Sequence, residues 1–332
     1  MSKPPLPMGE GRCQSSKGSE EEQQSPQLVL GRERTGGTMQ DSEGKSKRTF
    51  KEKLVLKSRL AKESLSEFLG TLILIVLGCG SVAQAVLSRG QLGSIVTINV
   101  GFAMAVVMAI YVAGGMSGGH INPAVSFAMC LSGRMTWLKL PFYMVAQFLG
   151  AFTGAALLFG IYYDALMAFA GGELLITGEN ATAFIFATYP AGYLSLANAF
   201  VDQVASTTFL ILVILAIFDT RNLGVPRGLE PAVIGLLIVA LACSLGLNSG
   251  CAMNPARDLG PRVFTAVAGW GLEVFTAGNH FWWIPVVGPM VGAVLGVLVY
   301  QLCISIQLPR PEAEQEGQVT TKVEKYELSV MM

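Results

Sequence analysis

Two copies of Asn-Pro-Ala, at Asn122-Pro123-Ala124 and Asn254-Pro255-Ala256, carry the residue types and spacing that could do chemistry in this chain. Asn before Pro suits a helix start, because the Asn side chain caps backbone N–H groups and Pro at the first helical position sacrifices no hydrogen bond. Each such start also presents unsatisfied N–H groups and the positive end of a helix dipole. The runs that follow, Pro123–Leu131 and 255–267, cover only about half a bilayer at 1.5 Å per residue. Two half-helices meeting head to head make a narrow polar spot inside a hydrophobic slab. That spot suits hydrogen bonding to a passing polar solute, with the Asn122 and Asn254 amides as donors, and not bond making. No nucleophile–base set or phosphate-binding glycine loop emerges, so an enzyme is not expected.

Other polar residues fall inside apolar surroundings, where they are costly unless satisfied. Arg257 reads either as a donor lining a passage or as a cation snorkelling to the surface. Glu67 precedes Asn122 by 55 positions and Asp202 precedes Asn254 by 52, so the two carboxylates correspond. They read best as acceptors that hold irregular loop backbone at membrane depth, with a proton relay as the alternative. His120 is expected to lend its backbone carbonyl and to pack its ring. With two histidines in the chain, a metal site is not expected, and no cofactor is called for. The six cysteines (Cys13, Cys79, Cys130, Cys243, Cys251, Cys303) show no paired metal or redox spacing, and no structural disulfide is expected.

The elements that must position these residues are membrane spans. Apolar residues make up 52% of the chain and charged residues 14%, against roughly 25% charged in an ordinary soluble domain. Six segments (65–87, 95–114, 138–163, 197–218, 231–247 and 281–306) approach or exceed the roughly 20 apolar residues of a span. The fifth is the shortest. Span, span, half-helix, span occurs twice, about 58–163 and 197–308. Three spans per copy is odd, so the second copy must enter from the opposite side, as an inverted repeat with a site at its midplane interface. The fold class expected is an all-α membrane protein of six transmembrane helices plus two re-entrant half-helices.

Residues 1–57 read as a disordered cytoplasmic extension, 58–308 as the membrane unit and 309–332 as a cytoplasmic tail. The first fifty residues lack an apolar run, so no signal peptide is expected and the first span should direct its own insertion. Placing both termini in the cytoplasm puts the 45–62 basic cluster, Arg134, Lys139, Arg221, Arg227 and Arg310 inside. The outer loops then hold Arg89, with Arg257 and Arg262 in the second re-entrant segment. Asn180 opens an Asn-Ala-Thr sequon in the long outer loop, a possible N-glycosylation site. Gly150-x-x-x-Gly154 and Gly292-x-x-x-Gly296 allow close helix approach, either within the chain or to a partner subunit. Val330-Met331-Met332 resembles a hydrophobic PDZ-type ligand. Net charge is zero, against a nucleic-acid partner.

Across about residues 58–308 the chain resembles the aquaporin superfamily. The segments Ser117-Gly118-Gly119-His120-Ile121-Asn122-Pro123-Ala124-Val125 and Gly250-Cys251-Ala252-Met253-Asn254-Pro255-Ala256-Arg257-Asp258 match its two signatures. Asp258 after Arg257 marks the glycerol-conducting branch, the aquaglyceroporins, and Pro285-Val286 points the same way. The resemblance implies an outer constriction of Phe102, Ala242, Cys251 and Arg257. A strict water pore of the superfamily has His where Ala242 sits, and Cys251 replaces an aromatic common in glycerol channels. Both changes should widen the opening. A thiol there should let mercurials block flux.

The function expected is a passive channel for glycerol, urea, water and larger neutral solutes that excludes protons and ions. The expected location is the plasma membrane, in contact with lipid, and the resemblance implies a homotetramer. The rival is a secondary transporter coupled through Glu67 or Asp202, since inverted repeats and broken helices also build those.

Overall fold

The computed structural model describes residues 55–309. The expected extension, most of the tail and the PDZ-like terminus lie outside the described residues. Within them, six longer helices and two half-helices follow the expected order. The first repeat holds α1 (Arg59–Leu87), α2 (Ile95–Ser117), half-helix α3 (Pro123–Leu131) and α4 (Leu140–Ala170). The second holds α5 (Leu196–Ile217), α6 (Glu230–Leu245), half-helix α7 (Pro255–Thr265) and α8 (Ile284–Tyr300).

Local chemistry sets these boundaries. Ser58 and Ser195 cap α1 and α5, accepting from Ala61 N (3.3 Å) and Asn198 N (3.2 Å). α2 ends at Gly118, whose φ of 92° lies in the left-handed region that glycine enters without strain. α1, α2, α4, α5 and the α8 region (Ala277–Ser305) are long and apolar enough to cross a membrane. The sixth expected span, α6, has only 16 residues, about 24 Å at helical rise. It starts on Glu230-Pro231 and gives way at Gly246 to the turn that leads into the second Asn-Pro-Ala loop.

α1 packs between α2 and α4, and α5 packs against α8 and α6. The half-helices cross over: α3 lies on α8, and α7 lies on α4. Each repeat therefore inserts its half-helix against the last helix of the other. Both Gly-x-x-x-Gly pairs serve contacts within the chain. A Cβ on Gly154 would sit 2.8 Å from Leu72 O of α1, and one on Gly296 would sit 2.8 Å from Thr208 O of α5. Missing side chains let the backbones approach where larger ones would force them apart.

Candidate transmembrane passage

At the centre, the two half-helices are locked to each other by a reciprocal exchange. Asn122 Oδ1 caps its own helix at Ala124 N (2.8 Å), and Asn254 Oδ1 caps its helix at Ala256 N (3.0 Å) and Arg257 N (3.2 Å). Each amide nitrogen then crosses to the other repeat: Asn122 Nδ2 donates to Met253 O (3.0 Å), and Asn254 Nδ2 donates to Ile121 O (2.9 Å). An amide carries two hydrogens. One of each pair is thus committed to the scaffold, and the other has no hydrogen-bond acceptor among the described residues. Pro123 and Pro255 occupy the first helical turn as expected, followed by buried Ala124 and Ala256.

The residues before each Asn adopt left-handed backbone in matching positions. Gly118, Gly119 and Ile121 (φ 92°, 63° and 46°) mirror Gly250, Cys251 and Met253 (φ 71°, 54° and 49°). This is strained for a β-branched Ile and persists only when the surroundings over-determine it. They do so. Glu67 accepts from His120 N (2.9 Å) and Ser117 Oγ (2.6 Å) on one oxygen, and from Ile121 N (2.7 Å) and Gln147 Nε2 (2.8 Å) on the other. The carboxylate divides its acceptor capacity among the loop, the end of α2 and Gln147 of α4.

The second repeat departs from the expected correspondence. Asp202 accepts from Asn248 Nδ2 (3.0 Å) and Ser249 Oγ (2.7 Å), upstream of the left-handed turn. The N–H of Met253, counterpart of Ile121, goes to Gln203 Oε1 at 3.1 Å. One residue along a helix turns the side chain by about 100°, so Gln203 reaches the N–H next to Asn254, while Asp202 holds the turn before it. Gln203 and Gln147 are both fully buried, and sequence reading missed them because a Gln in an apolar span carries no charge to flag it. His120 packs its ring against Tyr143 (centroids 5.3 Å apart), with Nδ1 3.1 Å from Ser126 Oγ.

Among the described residues, the carbonyls of Gly118, Gly119, His120, Gly250, Cys251 and Ala252 accept no hydrogen bond from the protein. All six residues line one cavity of about 1040 Å³. Orphan acceptors at membrane depth need a partner, and a file of them suits a mobile polar solute. The cavity reaches from Arg134 and Phe218, near the ends of α3 and α5, past both Asn residues to Thr188 and Leu247 on the opposite side.

Phe102, Ala242, Cys251 and Arg257 all line this cavity. The Arg257 guanidinium carbon lies 4.6 Å from the centroid of the Phe102 ring, a cation–π contact across the passage wall. Arg257 Nη1 donates to Phe186 O at 2.7 Å, and its side chain is buried rather than snorkelling. Cys251 places its thiol 3.9 Å from Leu241 O. Asp258, in contrast, is fully buried outside the cavity lining. It accepts from Thr188 N (2.7 Å), from the Thr188 hydroxyl and from Arg262 Nε (2.9 Å). Arg262, also fully buried, donates to Val274 O (2.9 Å) and Thr188 O and stacks over Tyr189. This ion pair pins the α4–α5 loop, whose Phe186 carbonyl restrains Arg257. The Asp258 marker of the sequence thus braces the loop that holds Arg257. Asn180 lies half-buried in the same loop.

A major intrinsic protein family model matches residues 55–300. Aquaporin-9 of Homo sapiens is 71% identical over 295 residues, covering 89% of this chain and 100% of that protein. Aquaporin-10 of Homo sapiens is 53% identical over 264 residues, 79% of this chain and 88% of the relative. Among solved structures, the aquaglyceroporin from Plasmodium falciparum superposes with a TM-score of 0.66 at 33% identity, over 73% of this chain and 95% of that one.

Proposed function

This chain belongs to the major intrinsic protein family, and on that premise we propose a passive channel for glycerol, water, urea and other small neutral solutes. The observation that carries the reading is the single cavity that passes both Asn caps and is lined by unpaired carbonyls. A solute hydroxyl takes the free amide hydrogens of Asn122 and Asn254 at the centre and exchanges acceptors along the file. Protons and cations meet two helix N-termini and Arg257, so the centre and the constriction are positive. Phe102, Ala242 and Cys251 give the carbon side of a polyol an apolar wall, while the uncommitted Arg257 donors meet its hydroxyls.

A transporter coupled through Glu67 or Asp202 gains no support, since both carboxylates are engaged by loop donors. The channel unit spans about 58–308, between flanking segments 1–57 and 309–332. The distribution of Lys and Arg supports both termini in the cytoplasm of a plasma-membrane protein. That orientation places Asn180 outside, where it would be a glycosylation acceptor. Family membership supports a homotetramer, and the terminal Val330-Met331-Met332 is a ligand for a PDZ-type partner.

Stopped-flow measurements on proteoliposomes test the channel reading. Water, glycerol and urea permeate down their gradients, and an imposed proton gradient drives no accumulation. Mercurial block is expected in the wild type and lost in Cys251→Ser. Water uptake without glycerol or urea uptake would sink the reading.

A further inference from the structure

Gly78 lies on α1, outside the set of residues that form the constriction, yet Phe102 depends on it. A Cβ at Gly78 would meet Cε1 and Cδ1 of the Phe102 ring inside any real Cβ separation, with Cζ at 3.1 Å. The same ring holds the Arg257 guanidinium at 4.6 Å and lines the cavity. We propose that the absent side chain of Gly78 sets the width of the constriction, by letting the Phe102 ring seat against α1. Gly78 is then a positioning residue for solute size, acting through Phe102. The proposal rests on the channel reading and specifies its selectivity.

The ring is the part that must give way. α1 and α2 are clamped on either side of Gly78 by small residues. A Cβ on Gly70 of α1 would sit 2.9 Å from Ala113 Cβ of α2, and one on Gly101 of α2 would collide with Ser81 of α1. Separating the helices to admit one methyl would open all of these contacts, and close-packed interfaces resist that. Rotation of the ring into open cavity disturbs none of them. Ala is also the better helix former, so a Gly78→Ala change carries no propensity penalty. A loss of polyol flux would come from the ring and not from a weakened α1.

The test measures water, glycerol and a five- or six-carbon polyol in proteoliposomes with wild type, Gly78→Ala, Phe102→Leu and the double variant. Gly78→Ala is expected to lower the polyol-to-water permeability ratio about tenfold while water flux persists. In the double variant, where the ring is gone, the ratio should equal that of Phe102→Leu alone. An unchanged ratio in Gly78→Ala overturns the proposal, as does equal loss of water and polyol, or a full Gly78 effect in the Phe102→Leu background. If Gly78→Ala yields no folded protein, recovery of folding in the double variant supports the ring as the point of conflict. Failure of both overturns it. A wild type that passes no polyol instead defeats the channel reading itself.

Discussion

At the residue scale, the passage is lined by groups that commit only part of their hydrogen-bonding capacity to the scaffold. Asn122 and Asn254 each give one amide hydrogen to the opposite loop and keep one. Arg257 gives one nitrogen to Phe186 O and presents the rest. Partial commitment is what holds a donor still in a narrow passage, so that a solute meets it without reorganisation. Gln203, by contrast, uses both ends of its amide on the second loop. Its oxygen takes Met253 N–H, and its amide nitrogen donates to Ser249 Oγ at 2.7 Å. Gln203→Leu leaves that buried N–H without a partner, at a cost of about 1–3 kcal/mol. Thermal unfolding in detergent should show Gln203→Leu as more destabilising than Asp202→Asn. The reverse order would return the loop to Asp202.

At the element scale, the half-helices exist because Asn-Pro starts them and the partner repeat receives them. The end of α5 is tied by a different device. Asp219 accepts from Arg221 Nε (3.1 Å), Arg221 Nη2 (2.9 Å) and the Tyr300 hydroxyl of α8 (2.9 Å). The Arg221 hydrogen bonds, supported by Tyr300, outweigh burial and hold the Asp219 carboxyl down from its ordinary 3.8 to about 2. A depressed folded value means the stabilisation is present above the unfolded value and is lost as pH falls through the folded one. Wild type should therefore melt above Asp219→Asn at neutral pH. The gap should close as pH falls from about 4 towards about 2. A gap independent of pH in that window would remove the charge from the explanation.

At the scale of the whole molecule, the fully buried Asp258–Arg262 pair ties α7 to the α4–α5 loop, whose Phe186 carbonyl holds Arg257. Arg262→Met strips the partner from a buried carboxylate, a change worth about 3–5 kcal/mol. The melting temperature should fall accordingly, and an added Asp258→Leu should recover part of it. No recovery would mean that Arg262 acts through Val274 and Thr188 alone. The sequence by itself determined the inverted repeat, the two half-helices and their caps. Those signals are local: the length of an apolar run, the Asn-Pro start, and a motif a few residues long. Only the tertiary structure decided that Gln203 holds the second loop, that Asp258 braces rather than lines the passage, that the glycine pairs pack within the chain and that Gly78 seats Phe102. Those outcomes depend on the rotation of each helix about its axis and on contacts between segments far apart in the chain. A hydropathy pattern registers that a face is apolar, but not which atom lies opposite it.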